Sequence, residues 1–297
     1  MVEQEKQLFA SGHRACPGCG AAIAARMILK ATGSNVIVVS STGCLETFTS
    51  PIDASCWEVP WIHSLFENAG AIASGVLASL RAKGNPNNTK VVVIAGDGGT
   101  YDIGIGALSG MLERQDDVLY ICYDNEAYMN TGAQRSGATP YSASTTTTPV
   151  GRNSYGKAEH KKNMPQIVLA HGVNYVATAS LAYPKDFEMK VKKGLNTNGP
   201  AYIHVLTPCN IGWGFEPKLT IEVARQAVET GLYPLYEYVN GELVSSKKIS
   251  KIKPVEEFLK YQKRFRHLMN DRDKYEEQLN IIQEIADRNI HEFNLAL

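Results

Sequence analysis

The feature that most constrains the fold is a series of short, continuous apolar runs separated by segments of helical pattern. The runs are rich in β-branched residues and have the length of buried strands. They occupy residues 35–41, 90–95, 118–124, 174–180 and 200–207. Helices are predicted between them at 20–32, 63–83, 102–115, 164–172 and 184–195. This alternation predicts a doubly wound α/β fold, whose mostly parallel sheet is covered by helices on both faces.

Past residue 210 the alternation stops, and the chain is predicted to divide into a 1–215 domain and a 216–297 extension. A helix is predicted at 220–231. Residues 235–246 read as a β-hairpin, because the Asn-Gly pair at 240–241 suits a type I′ turn. The charged tail is predicted to be mostly helical. We expect this extension to dock on the same subunit or on partner subunits.

Composition excludes several classes of partner and location. The 297 residues include 30 basic and 30 acidic side chains, and 44% are hydrophobic. A balanced charge argues against nucleic acid or an anionic membrane as the main partner. No run of about 18 apolar residues is present, and the N-terminal stretch lacks the apolar core of a signal peptide. We therefore expect no membrane span and a cytoplasmic location.

Polar residues follow two of the predicted strands at the point where each strand ends. Gly96 and Asp97 come directly after the strand at 90–95, and Asn125 comes directly after the strand at 118–124. The carboxyl ends of parallel strands meet at one edge of a sheet, which is where α/β proteins bind ligands. We therefore expect these side chains to lie close together.

This edge offers ligands for Mg²⁺ and for a diphosphate. The Asp97 carboxylate, the Asn125 amide oxygen and a backbone carbonyl such as that of Ala127 are the oxygen ligands that Mg²⁺ combines with phosphate. Gly98 and Gly99 would allow phosphate oxygens to approach the backbone. A Gly-Asp-Gly sequence is often only a turn, but the Asn 28 positions after the Asp makes the pattern similar to the thiamine diphosphate-binding motif. The dinucleotide motif G-x-G-x-x-G is excluded, because residue 101 is Tyr.

Four of the six cysteines are placed to meet at the same edge. Cys16 and Cys19 form a C-x-x-C pair, whereas Cys44 and Cys209 each follow a predicted strand. Four thiolates at one edge suit a [4Fe–4S] cluster. A structural zinc site or a redox-active thiol pair remains an alternative, although zinc sites usually contain two C-x-x-C pairs. The remaining two, Cys56 and Cys122, are predicted to be packing residues.

Several stretches together resemble one family. They are CPGCG, STGCLE, VPWIHSLFENAGAIASG, GDGGTYDIG, YDNEAYMNTGAQRSGATP and TPCNIGW. In this order, from about residue 12 to residue 215, they resemble the β subunit of 2-oxoacid:ferredoxin oxidoreductases of the pyruvate synthase type. A series of matched stretches is more specific than any single motif.

The resemblance implies a thiamine diphosphate-binding fold and assigns roles to individual residues. It makes Cys16, Cys19, Cys44 and Cys209 the ligands of a [4Fe–4S] cluster, and Asp97, Asn125 and the Ala127 carbonyl the ligands of Mg²⁺. It also places Gly98, Gly99, Asn130 and Thr131 where cofactor and substrate are approached. Gly96, Glu46 and His63 are further candidates for cofactor contacts, and a purely structural role is the alternative for Glu46 and His63. Asn130, Thr131 and Arg135 are the catalytic candidates.

The resemblance also implies partners and a reaction. An α-type subunit would complete the thiamine diphosphate site, and electrons would pass through a ferredoxin-like iron–sulfur subunit to ferredoxin. The expected substrate is pyruvate, which would lose CO₂ and two electrons to the iron–sulfur acceptor while coenzyme A accepts the acyl group to form acetyl-CoA. The alternatives are oxalate without coenzyme A, a branched 2-oxoacid, a decarboxylase with structural zinc, or a non-catalytic scaffold or electron-transfer subunit.

Overall fold

The computed structural model describes residues 7–51, 53 and 55–297. Its first half contains α1 (Gly20–Thr32), β1 (Val36–Ser41), α2 (Cys44–Thr47), β2 (Trp61–Ser64), α3 (Ala69–Ala82), β3 (Lys90–Gly96), a π-helical turn (Gly98–Asp102), α4 (Ile105–Glu113) and β4 (Val118–Asp124). Two-residue strands β5 (Val150–Gly151) and β6 (Ser154–Tyr155) then interrupt the long loop. The α/β pattern resumes with α5 (Met164–Leu169), β7 (Tyr175–Ser180), α6 (Pro184–Leu195) and β8 (Ala201–Leu206).

The remainder of the described chain is mostly helical. It contains α7 (Asn210–Trp213), a 3₁₀ turn (Pro217–Leu219), α8 (Thr220–Glu229), β9 (Tyr236–Val239), β10 (Glu242–Ser246), α9 (Glu256–Leu259), a second 3₁₀ turn (Lys263–Phe265), α10 (Arg266–Asn270) and α11 (Glu276–Glu292). No helix in the described ranges is long and apolar enough to cross a membrane.

The main sheet has the order β10-β9-β7-β8-β4-β3-β1-β2, and the strands from β7 to β2 are parallel. Gly96 at the end of β3 pairs with Tyr123 of β4, and Asp124 at the end of β4 pairs with Leu206 of β8. The carboxyl ends therefore lie side by side. The segments that begin at residues 42, 97, 125 and 207 all leave the sheet at this one edge.

Both faces of the sheet are covered, as the continuous apolar strands predict. Val38, Val92 and Ile121 pack on one face with residues of α1 and α6. Their neighbours Val39 and Val93 pack on the other face with residues of α3, α4 and α5. Because successive side chains of a strand point to opposite faces, each strand contributes to both cores. The prediction of a doubly wound α/β fold is confirmed.

The hairpin extends this sheet. Asn240 and Gly241 have φ values of 50° and 82°, which is the left-handed pair that a type I′ turn requires. β9 pairs antiparallel with β7, so the hairpin closes one end of the sheet. The helices after residue 216 pack around a separate apolar cluster that includes Trp213 and Phe258. The division of the chain at residue 215 stays a prediction.

Two helices begin later in the structure than the sequence predicts. The helix predicted at 63–83 begins only at Ala69, because residues 61–64 pair with β1 as an edge strand, with His63 opposite Ser40. The helix predicted at 102–115 is preceded by a π-helical turn from Gly98, in which the N–H of Ile103 donates to the carbonyl of Gly98 at 3.2 Å. The regular α-helix follows at Ile105–Glu113.

Candidate functional site

Three oxygen atoms converge where β3 and β4 end. Asp97 and Asn125 are buried, and the Asn125 side-chain amide lies 3.0 Å from Asp97 Oδ1 and 2.9 Å from the carbonyl oxygen of Ala127. With its nitrogen turned toward them, the amide donates two hydrogen bonds. With its oxygen turned toward them, Asn125 presents a third oxygen, and a cation bound among the three would then satisfy them.

The spacing of these oxygens fits Mg²⁺. An octahedral Mg²⁺ holds its ligands at about 2.0–2.1 Å, so that adjacent ligand oxygens are about 2.9 Å apart. The two measured separations, 2.9 Å and 3.0 Å, have this value. The structure thus brings the predicted ligands Asp97 and Ala127 within 3.0 Å of the Asn125 side-chain amide.

The carboxylate of Asp97 is held in place by a hydrogen bond, and the charge of Lys161 acts on it without a direct contact. The Ser136 hydroxyl donates to Asp97 Oδ2 at 2.6 Å. Burial raises the pKa of Asp97, and the charge of Asp124 raises it further. A divalent cation at this position would stabilise the ionised carboxylate. Ser136 lies in the long loop and was missed by the sequence analysis.

A chain of buried charges lies directly beside this position. The carboxylate of Asp124 accepts from His204 Nε2 at 2.8 Å and from Lys161 Nζ at 2.5 Å. Lys161 also donates to Glu126 at 2.8 Å, and the second oxygen of Glu126 accepts from Arg264 at 2.6 Å. Burial alone would raise the pKa of Asp124, but the charge of Lys161 and the bond from His204 hold it below its usual value.

These charges hold the loop of residues 125–127, here called the 125–127 loop. Glu126 has a φ of 66°, a left-handed conformation that a non-glycine residue adopts only where its surroundings fix it. The indole N–H of Trp213 donates to the backbone carbonyl of Asn125 at 2.7 Å. The guanidinium of Arg264 lies 3.8 Å above the Trp213 ring. Trp213 and Arg264 lie 88 and 138 positions from the loop residues that they contact, and they therefore fix the loop. A sequence pattern does not reveal such contacts.

The four predicted cysteines line one cavity of about 170 Å³, here called the cysteine cavity. Asn125 and Asn130 line the same cavity, which therefore adjoins the 125–127 loop. Thr207 also lines it. The predicted convergence of residues from three distant parts of the chain is present: the thiols share one cavity at the carboxyl edge of the sheet. They are Cys16, Cys19, Cys44 and Cys209.

Backbone N–H groups surround the thiols. Cys19 directly precedes α1 and Cys209 directly precedes α7, and backbone N–H groups at these two helix starts donate to the thiols. The N–H of Gly212 donates to Cys209 Sγ at 3.3 Å. Such bonds stabilise a thiolate.

Burial and mutual repulsion act against ionisation of the thiols. Burial raises the pKa of Cys44 to about 12, and the charges of Cys209, Cys19 and Asp97 contribute. Burial likewise raises the pKa of Cys209, with Cys16 contributing and Arg264 opposing.

The thiols are not grouped as ligands of a single small ion. In residues 7–51, 53 and 55–297, no three His, Cys, Asp or Glu side chains lie close enough together to hold one metal ion. A tetrahedral zinc site requires four sulfurs at about 2.3 Å from one centre. Cys56 and Cys122 lie outside it and are 1% and 0% exposed, in agreement with their predicted packing role.

Other predicted residues lie at the same edge and contact neighbouring side chains there. His63 Nε2 lies 2.8 Å from the Thr42 hydroxyl, and its Nδ1 lies 3.9 Å from Glu46. The Asn130 amide donates to Thr47 at 3.0 Å, which ties the loop after β4 to the helix that begins at Cys44.

Thr131 and Arg135 lie on the exposed part of the long loop. The Thr131 hydroxyl donates to Gln134 at 2.5 Å, and Arg135 lies 3.5 Å from Glu159. Both side chains therefore face solvent rather than the oxygen ligands.

The glycines of the turn after β3 are needed for close packing. A Cβ atom on Gly98 would lie 2.4 Å from the ring of Tyr128, and one on Gly99 would lie 3.0 Å from the Ser41 hydroxyl. The Ser41 hydroxyl is buried and has no hydrogen-bond partner, so a polar atom next to Gly99 remains to be satisfied. Gly96, at the end of β3, packs on the Tyr123 ring.

Comparison with known proteins identifies the family of the chain independently of the site geometry. The family described as thiamine pyrophosphate enzyme, C-terminal TPP binding domain, matches residues 41–205. Pyruvate synthase subunit PorB of Methanosarcina barkeri is 54% identical over 290 residues, which is 98% of this chain and 98% of that protein. Ketoisovalerate oxidoreductase subunit VorB of Pyrococcus furiosus is 46% identical over 271 residues, 89% of this chain and 86% of that protein.

A solved structure has the same fold. A chain of 2-oxoglutarate:ferredoxin oxidoreductase from Magnetococcus marinus superposes with a TM-score of 0.57 at 23% identity. The superposition covers 75% of this chain and 78% of that chain. At this level of identity the likeness shows the fold alone.

Proposed function

The chain belongs to the β subunits of 2-oxoacid:ferredoxin oxidoreductases, and on this premise we propose that it contributes a Mg²⁺–thiamine diphosphate site and a [4Fe–4S] cluster to the oxidative decarboxylation of pyruvate. It acts as one subunit of a larger oxidoreductase. The observation that carries the proposal is the adjacency of the cysteine cavity and the oxygen ligands, which have Asn125 in common.

In the proposed site, this chain's residues hold the cofactor rather than react. Asp97, Asn125 and the Ala127 carbonyl would bind Mg²⁺ on one side and leave its other positions to phosphate oxygens and water. Ser136 keeps the Asp97 carboxylate oriented. When bound, thiamine diphosphate supplies the electron sink for decarboxylation of a 2-oxoacid, and the cluster supplies a one-electron acceptor.

The donor set favours an iron–sulfur cluster over zinc. Four thiols share one cavity, and a backbone N–H donates to one of the sulfurs. A four-iron cluster is larger than a zinc ion and draws on hydrogen bonds to its sulfurs. We therefore propose Cys16, Cys19, Cys44 and Cys209 as its ligands.

The remaining predicted residues are proposed as contacts with cofactor or substrate. Glu46 and His63 lie together beside the end of β1, in reach of a group bound at this edge. Gly96, Gly98 and Gly99 form the turn that would face the diphosphate. Asn130, Thr131 and Arg135 lie on the loop after β4, and their proposed role depends on closure of the site by another subunit.

The substrate and partners are proposed from the relatives. Pyruvate is the first choice because of the pyruvate synthase subunits, but the similarity to a ketoisovalerate oxidoreductase subunit shows that similar chains serve more than one 2-oxoacid. We propose an α-type subunit that completes the cofactor site, a ferredoxin-like iron–sulfur subunit, ferredoxin as acceptor, and coenzyme A as acyl acceptor. A cytoplasmic location stays an expectation.

An anaerobic assay of the assembled complex tests this function. Ferredoxin reduction is measured with pyruvate, oxalate, 2-oxoglutarate and a branched 2-oxoacid, each with and without coenzyme A. The proposal predicts the fastest reduction with pyruvate and coenzyme A, and its loss in Asp97→Ala. The matched control is Asp117→Ala, since Asp117 lies at the opposite edge, before β4, and pairs with Lys90. Unchanged turnover in Asp97→Ala would instead indicate a non-catalytic subunit.

A further inference from the structure

A buried hydroxyl without a hydrogen-bond partner lies in the wall of the cysteine cavity. Thr207 directly follows β8 and is 1% exposed. Its backbone N–H donates to the carbonyl of Asp124 at 2.8 Å, but its Oγ1 has no partner. Among the described residues that line the cavity, Thr207 is the one whose side chain has a buried polar atom without a hydrogen-bond partner. Buried polar groups are nearly always paired, so an unpaired one indicates a missing partner.

The position of Thr207 points to the identity of that partner. Thr207 lies two residues before Cys209 and is hydrogen-bonded to the end of β4, so it lies in the wall between a predicted cluster ligand and the 125–127 loop. The groups that would share this cavity with it are thiolate and sulfide sulfurs. A sulfur accepts hydrogen bonds but donates none when ionised, whereas a hydroxyl can donate.

We propose that the Thr207 hydroxyl donates a hydrogen bond to a sulfur of the cluster and thereby raises the reduction potential of that cluster. The inference rests on the proposed function, because it requires a [4Fe–4S] cluster in the cavity. Reduction adds one electron to the cluster, and a donor stabilises the more negative state more strongly. Hydrogen bonds to the sulfurs are among the factors that set cluster potentials.

The contribution of Thr207 is distinct from the other bonds at the cavity. The N–H of Gly212 donates to the Cys209 sulfur through the backbone and cannot be removed by a side-chain substitution. The Thr207 hydroxyl is a side-chain donor on the side of the cavity next to the candidate Mg²⁺ ligands. Its removal therefore changes the electron equilibrium between the cofactor site and the cluster without removing a ligand from either.

The test is a redox titration of the assembled complex, followed by the electron paramagnetic resonance signal of the reduced cluster. The signal of this chain's cluster is identified as the one lost in Cys44→Ala. Thr207→Val keeps the shape of the side chain and removes the hydroxyl, whereas Thr207→Ser keeps the hydroxyl. Ser142→Ala is the matched control, since the Ser142 hydroxyl is also buried without a partner but lies outside the cavity.

We expect Thr207→Val to shift the reduction equilibrium about threefold to tenfold toward the oxidised cluster, where tenfold corresponds to 59 mV for one electron. Thr207→Ser and Ser142→Ala should keep the potential of the unchanged protein. An unchanged potential in Thr207→Val, with its iron content intact, would overturn the inference. If Thr207→Val does not assemble, Thr207→Ala is judged by the same criterion.

The failure of this inference can be distinguished from failure of the proposed function. Iron analysis of the unchanged complex, compared with Cys44→Ala, reports whether this chain holds a cluster at all. If the two contain equal iron, both proposals are refuted. If the cluster is present and Thr207→Val leaves its potential unchanged, only the role of the hydroxyl is refuted.

Discussion

Removing the guanidinium of Arg264 should destabilise both the fold and the 125–127 loop. Arg264 is 4% exposed at its side chain, lies 2.6 Å from the Glu126 carboxylate and stacks on Trp213. Breaking a buried ion pair by removing one partner costs about 3–5 kcal/mol. Because Lys161 still neutralises Glu126, we expect Arg264→Met to lower the free energy of unfolding by about 3 kcal/mol.

The loop should respond in the same variant. Glu126 is held at a φ of 66°, and such a conformation costs about 1–3 kcal/mol, which its ion pairs offset. When the loop is released, the two neighbouring candidate Mg²⁺ ligands, Asn125 and Ala127, should no longer hold their spacing. A loss of about 1.4 kcal/mol corresponds to a tenfold rise in the dissociation constant for Mg²⁺–thiamine diphosphate. This dissociation constant is measured by titrating the assembled complex with the cofactor and recording tryptophan fluorescence.

A double-mutant cycle separates this pair from general damage. We expect Arg264→Met and Glu126→Gln to be coupled by about 2 kcal/mol in urea unfolding, because neighbours in one ion-pair network are non-additive. Arg266→Met is the control, since Arg266 is exposed and begins the next helix, and its cost should stay within about 0.5 kcal/mol. Additive losses in the cycle, or full cofactor affinity in Arg264→Met, would refute the reasoning.

Three further substitutions test other contacts. Lys157 is buried, and burial lowers its pKa to about 8 from 10.5, so between these values the unfolded chain binds more protons. Between pH 7.5 and 9.5, the free energy of unfolding of the unchanged protein should therefore rise relative to that of Lys157→Met. The rise is at most about 3 kcal/mol, and solvent screening reduces it. Gly98→Ala places a Cβ 2.4 Å from the Tyr128 ring and should lower the melting temperature, whereas Gly106→Ala, where the space is open, should raise it. Trp213→Phe removes the N–H donor to the 125–127 loop and should cost about 1–3 kcal/mol in urea unfolding and weaken cofactor binding.

The regular parts of the fold could be predicted because local pattern determines them. β4 spans the predicted residues 118–124, and α6 spans the predicted residues 184–195, because each has one unambiguous apolar pattern. The turn at Asn240 was predicted because an Asn-Gly pair suits a type I′ turn. β2 was missed because four residues carry too little periodicity, and only pairing with β1 makes Trp61–Ser64 a strand.

The ligand candidates could be predicted from position, but their supports could not. Asp97 and Asn125 directly follow strands, so parallel pairing alone brings them together. Arg264 lies 138 positions from Glu126, and no sequence pattern joins them. Ser136 and Thr207 are ordinary hydroxyl residues in sequence. They become notable only through a 2.6 Å bond to Asp97 in one case and an unpaired buried hydroxyl in the other.

Counting iron in matched cysteine variants tests the central claim most directly. The assembled complex is prepared anaerobically with the unchanged chain, with Cys44→Ala and with Cys122→Ala, a buried cysteine of β4 that lies outside the cavity. The account predicts that Cys44→Ala contains up to about four fewer irons per copy of this chain, while Cys122→Ala keeps all of them. Equal iron in all three preparations, or stoichiometric zinc lost only from Cys44→Ala, would contradict it.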